Sequence, residues 1–247
     1  MPIKAVIFDY GGVLMTYQGA TRCFKDLAQR HGVDWAFVQE CLLKQAVLQH
    51  VSDETGLDLF RGEYTCDELE NIYIPRLSVQ KGCPMQCPVP FVSTWMGDEK
   101  HQQYAEGMIS ALRQLPALGF LTGLLTNNCY LDKERKLRRT PIDESLFDVV
   151  VESAVEGTRK PEERIFEICL QRFEALGVLP SDCLFLDDQP ENLEAAKKIG
   201  WQTMLVNPVD PNSCVVELEM LLGVRFDDSS SSRSSCSQES DESTLLT

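Results

Sequence analysis

Long apolar runs are missing from this chain of 247 residues. No stretch approaches the roughly 20 consecutive apolar residues that a helix needs to cross a bilayer. Basic residues are also in short supply, 23 against 38 acidic ones, which leaves a net charge of −15. Nucleic acid and anionic membrane both require a basic surface, so neither is expected as a partner. A protein this acidic that binds any anion must meet it locally, with a metal ion, a lysine and backbone N–H groups. No signal peptide is expected, because Ile3 to Phe8 already reads as a strand. A soluble, cytoplasmic protein is the expectation.

Histidine is scarce as well. His31, His50 and His101 are the three, and none neighbours a motif, so surface or structural roles are expected for them. Ten cysteines in 247 residues fall below the density of small disulfide-stapled domains. Only Cys83 and Cys87 stand close together, and no second pair or nearby histidine completes a zinc set. They read as loop thiols. Cys169, Cys183 and Cys214 fall inside helix or strand patterns, as buried thiols would, and a reducing compartment fits.

Apolar residues make up 43% of the chain, enough for one large domain or a domain with an insertion. Residues 4–8, 121–126, 148–151, 183–186 and 203–206 are short apolar or β-rich runs bounded by turn residues. Helical stretches separate them, and this alternation predicts an α/β fold: a Rossmann-like, three-layer core around a parallel sheet. A helix is predicted from Pro161 to Phe173, with proline and two glutamates at its start, and another from Pro190 to Lys198. Residues 17–97 carry few strand signals. Helical patterns at 20–30, 34–49 and 66–76 make this stretch a mainly helical cap, inserted into a core formed by 1–16 and 98–226. Within it, 80–97 is rich in proline and turn formers and reads as irregular. A helix over 99–116 is expected to lead back to the core strand at 121. Residues 227–247 are dominated by serine and acids, and a disordered tail is expected there.

Four fragments carry chemistry. Asp9 follows the apolar run Ala5-Val6-Ile7-Phe8 and precedes Gly11 and Gly12, which places a carboxylate at the C-terminal end of a strand with a flexible turn behind it. Leu184-Phe185-Leu186 likewise empties into Asp187 and Asp188. Adjacent acids raise each other's cost of ionisation unless a cation neutralises them. Asp9 with one or both of Asp187 and Asp188, and the backbone carbonyl of Gly11, is expected to make an oxygen-only Mg²⁺ site. Thr126 and Asn127 close a third apolar strand and offer neutral donors to phosphate oxygens. Lys160, ahead of Pro161, supplies an ammonium where helix starts otherwise disfavour cations. Taken singly, three of the fragments also read as ordinary turns: a strand-ending Asp, a solvated acidic pair, a Thr-Asn-Asn turn.

Jointly, and in this order, the fragments VIFDYGGVL, LLTNN, RKP and FLDDQPENL resemble the motif set of the haloacid-dehalogenase-like (HAD) superfamily. The resemblance covers about residues 3–224. It implies Asp9 as nucleophile, Thr126 as the second-motif hydroxyl, Lys160 as the third-motif lysine, and Asp187 and Asp188 as metal-binding acids. FRGEYT, FDVVVES and RKPEERIF also resemble HAD domains that precede an epoxide hydrolase or acyl-CoA dehydrogenase module. Neither module stands in this sequence, so neither of those reactions is expected.

One position departs from the pattern. HAD phosphatases carry a second Asp two residues after the nucleophile, to protonate the leaving group and later activate water; here that position is Gly11. Positioned acid–base catalysis is worth about 10²–10⁴-fold, or roughly 3–5 kcal/mol of barrier. Tyr10 is not expected to substitute, because alternation along the strand points it away. The expected function is a Mg²⁺-dependent phosphomonoesterase of reduced turnover, acting on a small phosphorylated molecule. The alternative is a catalytically impaired HAD-fold protein that acts through ligand or protein binding. Dehalogenation through Asp9 ranks below both, since it has no use for paired metal-binding acids. Trp95 is expected to pack in the cap rather than line an entrance.

Overall fold

The computed structural model describes residues 2–140 and 142–227; the serine-rich stretch expected to be disordered lies outside the described residues. Among the described residues seven strands form: β1 (Ala5–Phe8), β2 (Met15–Thr16), β3 (Gln103–Tyr104), β4 (Leu121–Thr126), β5 (Val149–Glu152), β6 (Cys183–Asp187) and β7 (Gln202–Leu205). Five make one parallel sheet in the order β5-β4-β1-β6-β7. The chain leaves β1 to one side for β4 and β5, then crosses back to β6 and β7. Such a switch in strand order opens a crevice beyond the carboxyl ends of the strands.

Alternation along the strands sorts their side chains onto two faces. Val6, Phe8, Leu124, Leu184 and Leu186 face Met108 and Leu112 of the helix Glu106–Gln114, with Leu218 of the helix Val215–Leu222. Ala5, Ile7, Leu125, Val151 and Phe185 face Ile165, Phe166 and Phe173 of the helix Glu163–Glu174 and Leu193 of the helix Pro190–Lys198. The outcome is a three-layer core. At Gly123 the packing is so close that a Cβ would lie 2.6 Å from the Phe173 ring. No helix of the described residues is long and apolar enough to cross a membrane.

Between β2 and β3 the chain is helical: Gln18–His31, Trp35–Val38 with a π-helical turn Gln39–Leu43, Ala46–Thr55, a run from Cys66–Glu68 through Leu69–Tyr73 to Ile74–Gln80, and Phe91–Gly97. β2 and β3 pair antiparallel, Met15 with Tyr104 and Thr16 with Gln103, and so bind the two ends of this segment together.

Several local expectations are corrected. The helix expected over 34–49 breaks at Gln45, whose φ of 57° is left-handed. The helix expected over 99–116 starts at Glu106, because 103–104 is drawn out to pair with β2. The helix expected from Pro161 starts at Glu163, since Glu162 is extended at φ −64°, ψ 134°. Within 80–97, Phe91–Gly97 is helical rather than irregular. Its leading N–H groups, at Val92 and Ser93, donate to the Glu70 carboxylate, a cap supplied from more than 20 residues away.

Candidate active site

The strand ends deliver the expected side chains to one place. Asp9 leaves β1, Thr126 closes β4, and Asp187 and Asp188 leave β6; with Asn127 and Lys160 all but Asp187 line a pocket of about 370 Å³. The Tyr10 N–H donates to Asp9 Oδ1 at 2.7 Å, which orients the carboxylate. Lys160 is 1% exposed, and its Nζ sits 2.9 Å from Asp9 Oδ1 and 2.7 Å from Asp187 Oδ2. Burial alone would lower the Lys160 pKa, but the charges of Asp187 and Asp9 outweigh it and raise it, so the lysine stays cationic. Burial raises Asp9 to about 7, against the pull of Lys160 and with the push of Asp187. Burial, and then the charge of Asp187, raise Asp188 to about 6.

The two acids of β6 differ in what they have left to offer. Asp187 accepts from the Gln189 N–H at 2.8 Å, from the Asn192 amide at 3.0 Å on both oxygens, and from Lys160. Asp188 takes the Gln189 side-chain amide on Oδ2 at 2.7 Å, while its buried Oδ1 has no hydrogen-bond partner. An orphaned carboxylate oxygen is costly unless something positive meets it. Oxygens of Asp9, Asp187 and Asp188 lie within 4.8 Å of one another. An all-oxygen set with one unsatisfied atom fits a hard divalent cation.

Gly12 makes this approach feasible: at φ 76° a Cβ would stand 2.6 Å from the Asp188 carboxyl carbon. Asn127 is committed elsewhere than its expected role suggests. Its side chain accepts the Lys160 N–H at 2.9 Å and donates to the Lys160 carbonyl at 3.0 Å, so it fixes the lysine's backbone.

The family model for haloacid dehalogenase-like hydrolases matches residues 3–200. The chain belongs to the haloacid dehalogenase-like hydrolase family. It is 34% identical over 221 residues to mouse acyl-CoA dehydrogenase family member 10, a match covering 89% of this chain and 19% of the mouse protein's length. It is 26% identical to a phosphatase of Mycobacterium tuberculosis, over 84% of this chain and 88% of that protein. The magnesium-bound YfnB protein of Bacillus subtilis superposes with a TM-score of 0.63 at 16% identity, over 91% of this chain and 100% of that one, and shares its fold.

Several residues of this HAD hydrolase's pocket carry no local sequence signal. Asn192 stands one helical turn past the acid pair and clamps Asp187; only the helix start at Pro190 hinted at its direction. Gln45 and Tyr17 reach the pocket from the helical segment, and Arg139 from the loop after β4. A second cavity of about 360 Å³, lined by Phe24, Leu59, Leu69, Val92 and Trp95 among others, adjoins the polar one. Trp95 therefore packs edge-on against Phe24, as expected of a core residue, and also walls this apolar space. Arg139 lies between the two cavities, its guanidinium carbon 5.2 Å from the Trp95 ring centre.

Desolvation of its hydroxyl end, with the Asp188 and Asp9 carboxylates nearby, pushes the Tyr17 phenol well above its ordinary value. Tyr10, by contrast, directs its phenol to Tyr104. Cys83 and Cys87 belong to no cluster of metal-ligating side chains among the described residues. His50 pairs with Glu54 at 3.2 Å, and no histidine lines the polar pocket.

Proposed function

We propose that this HAD hydrolase is a magnesium-dependent phosphomonoesterase in which Asp9 is the nucleophile. The observation that carries the reading is the buried Lys160 ammonium held between Asp9 and Asp187, beside the bare oxygen of Asp188. Lys160 neutralises Asp9 and draws a phosphoryl group toward it. Thr126 supplies a hydroxyl to the phosphoryl oxygens, and Asn127 and Asp187 hold Lys160 in place. Asp9, Asp188 and the Gly11 carbonyl would hold Mg²⁺, with Asp187 completing the negative field. When bound, the metal neutralises the charge that develops on the transferring phosphoryl group. Asp9 attacks phosphorus in line, and water then cleaves the aspartyl-phosphate.

Residues 17–97 act as the cap of this site, because Tyr17, Leu43, Gln45 and Phe60 of that segment line the same pocket as Asp9. The adjoining apolar cavity receives the organic part of the substrate, which makes a small phosphomonoester with an apolar group the preferred class. Nine free thiols among the described residues favour a reducing compartment, the cytoplasm.

A second reading is favoured by Gly11, which offers no titratable group: a HAD-fold protein that binds a phosphorylated ligand, or a protein, without turning it over. Hydrolysis of p-nitrophenyl phosphate with Mg²⁺, natural chain against Asp9→Asn, separates the two. Activity above the variant supports the enzyme; equal rates favour the binding protein.

A further inference from the structure

The space left by Gly11 is not empty. A Cβ placed on Gly11 would lie 2.7 Å from the Tyr17 hydroxyl oxygen and 3.2 Å from the ring atoms Cε1 and Cζ. A phenol thus stands where a side chain two residues after the nucleophile would project. Tyr17 lines the polar pocket together with Asp9 and Gly11, so a molecule bound there meets it.

Its position is built rather than incidental. Tyr17 directly follows β2, which is pinned to β3, and begins the helix Gln18–His31. Two residues on, a Cβ at Gly19 would lie 1.7 Å from the His101 carbonyl oxygen, so only glycine permits the helix to seat this deeply. The strand pair on one side and the Gly19 contact on the other fix the backbone from which the ring projects.

The cavities narrow the choice of donor further. Six residues line both the polar pocket and the apolar cavity: Tyr17, Leu43, Gln45, Phe60, Arg139 and Gln189. An ester oxygen that joins a phosphoryl group in the first to an organic group in the second lies at their shared boundary. Leu43 and Phe60 have no proton to give, amides do not release theirs, and guanidinium does not deprotonate in proteins. Tyr17 alone of the six has a transferable proton, and a phenol is neutral at physiological pH.

We infer that Tyr17 is the proton donor to the leaving group, in the place of the missing aspartate; this rests on the phosphatase reading of Asp9. As the Asp9 Oδ–P bond forms, the P–O ester bond breaks and its electron pair stays on the leaving oxygen. That oxygen takes the Tyr17 proton and departs as a neutral alcohol. The tyrosinate then takes a proton from the water whose oxygen attacks the aspartyl-phosphate. Inorganic phosphate, Asp9 and neutral Tyr17 result.

The test compares leaving groups, since p-nitrophenol departs without protonation and a simple alcohol does not. Single-turnover release of p-nitrophenol from its phosphate, and of hexanol from hexyl phosphate, is measured with Mg²⁺ for the natural chain, Tyr17→Phe, Asp9→Asn and the double variant Gly11→Asp/Tyr17→Ala. The expected result for Tyr17→Phe is a fall of roughly 10²–10⁴-fold in the hexyl-to-nitrophenyl rate ratio. The double variant, with the ring out of the way of position 11, is expected to recover hexyl cleavage relative to Tyr17→Phe. An unchanged ratio in Tyr17→Phe, whether both rates drop or neither does, overturns the donor role while leaving the phosphatase intact. A natural chain no faster than Asp9→Asn on either ester overturns the phosphatase reading and the donor with it.

Discussion

Gly12 and Asp188 are locked together: at a φ of 76°, position 12 passes so near the acid that a Cβ would stand 2.7 Å from Asp188 Oδ2. The turn after β1 and the turn after β6 therefore fit only as a pair. Gly12→Ala pays a left-handed backbone cost of about 1–2 kcal/mol and also displaces the carboxylate. The expected outcome is a lower melting temperature together with weaker Mg²⁺ binding, read by differential scanning and isothermal titration calorimetry. Wild-type Mg²⁺ affinity in Gly12→Ala would contradict the metal role of Asp188.

Lys160 stands between two buried acids, and its removal leaves both uncompensated. Breaking a buried ion pair from one side costs roughly 3–5 kcal/mol. Lys160→Met is expected to lose about that much in urea unfolding and to lose the proposed phosphatase activity. A partial recovery of stability in Lys160→Met/Asp187→Asn would show that stranded charge, and not lost packing, is the cause. An additive loss in the double variant would argue the reverse.

Asp9 at about 7 and Asp188 at about 6 bind protons more tightly in the folded chain than in the unfolded one, where carboxylates sit near 3.8. A raised folded-state pKa gives stability that is complete below the unfolded value and lost as pH climbs through the folded one. Without metal, these two groups make the protein less stable as pH rises from about 4 to about 7. Added Mg²⁺ binds the ionised carboxylates, so its stabilising effect is expected to grow over the same window. Melting curves from pH 5 to 8, with and without Mg²⁺, and for Asp9→Asn, read this out. A Mg²⁺ increment that shrinks with rising pH would refute it.

The apolar cavity predicts a chain-length effect. Each methylene buried from water is worth about 0.8 kcal/mol, close to fourfold in affinity. KM for n-alkyl phosphates is expected to fall by up to that factor per carbon until the cavity is filled, then level off. Leu59→Asn, which puts an amide in the cavity wall, is expected to flatten the series. A flat series in the natural chain would place the organic group elsewhere.

What could be read from sequence was whatever a single short segment encodes. An apolar run ending in Asp9, in Thr126 or in Asp187 and Asp188 announces both a buried parallel strand and its C-terminal edge, and Lys160 beside Pro161 is equally local. The five sheet strands were legible for that reason. Features that depend on distant partners were not. The helix Phe91–Gly97 is capped by Glu70, and β2 and β3 exist only because the two ends of the helical segment meet.

The same division holds within the site. Sequence alone determined which residue types assemble there and that position 11 lacks an acid, because these follow from order and spacing along the chain. Tertiary structure decided that Asp187 is saturated while Asp188 keeps a free oxygen, that Asn127 serves the lysine, and that Tyr17 fills the space beside Gly11. Those outcomes are set by which groups compete for the same few ångströms once separate turns converge, and no spacing along the chain encodes that competition.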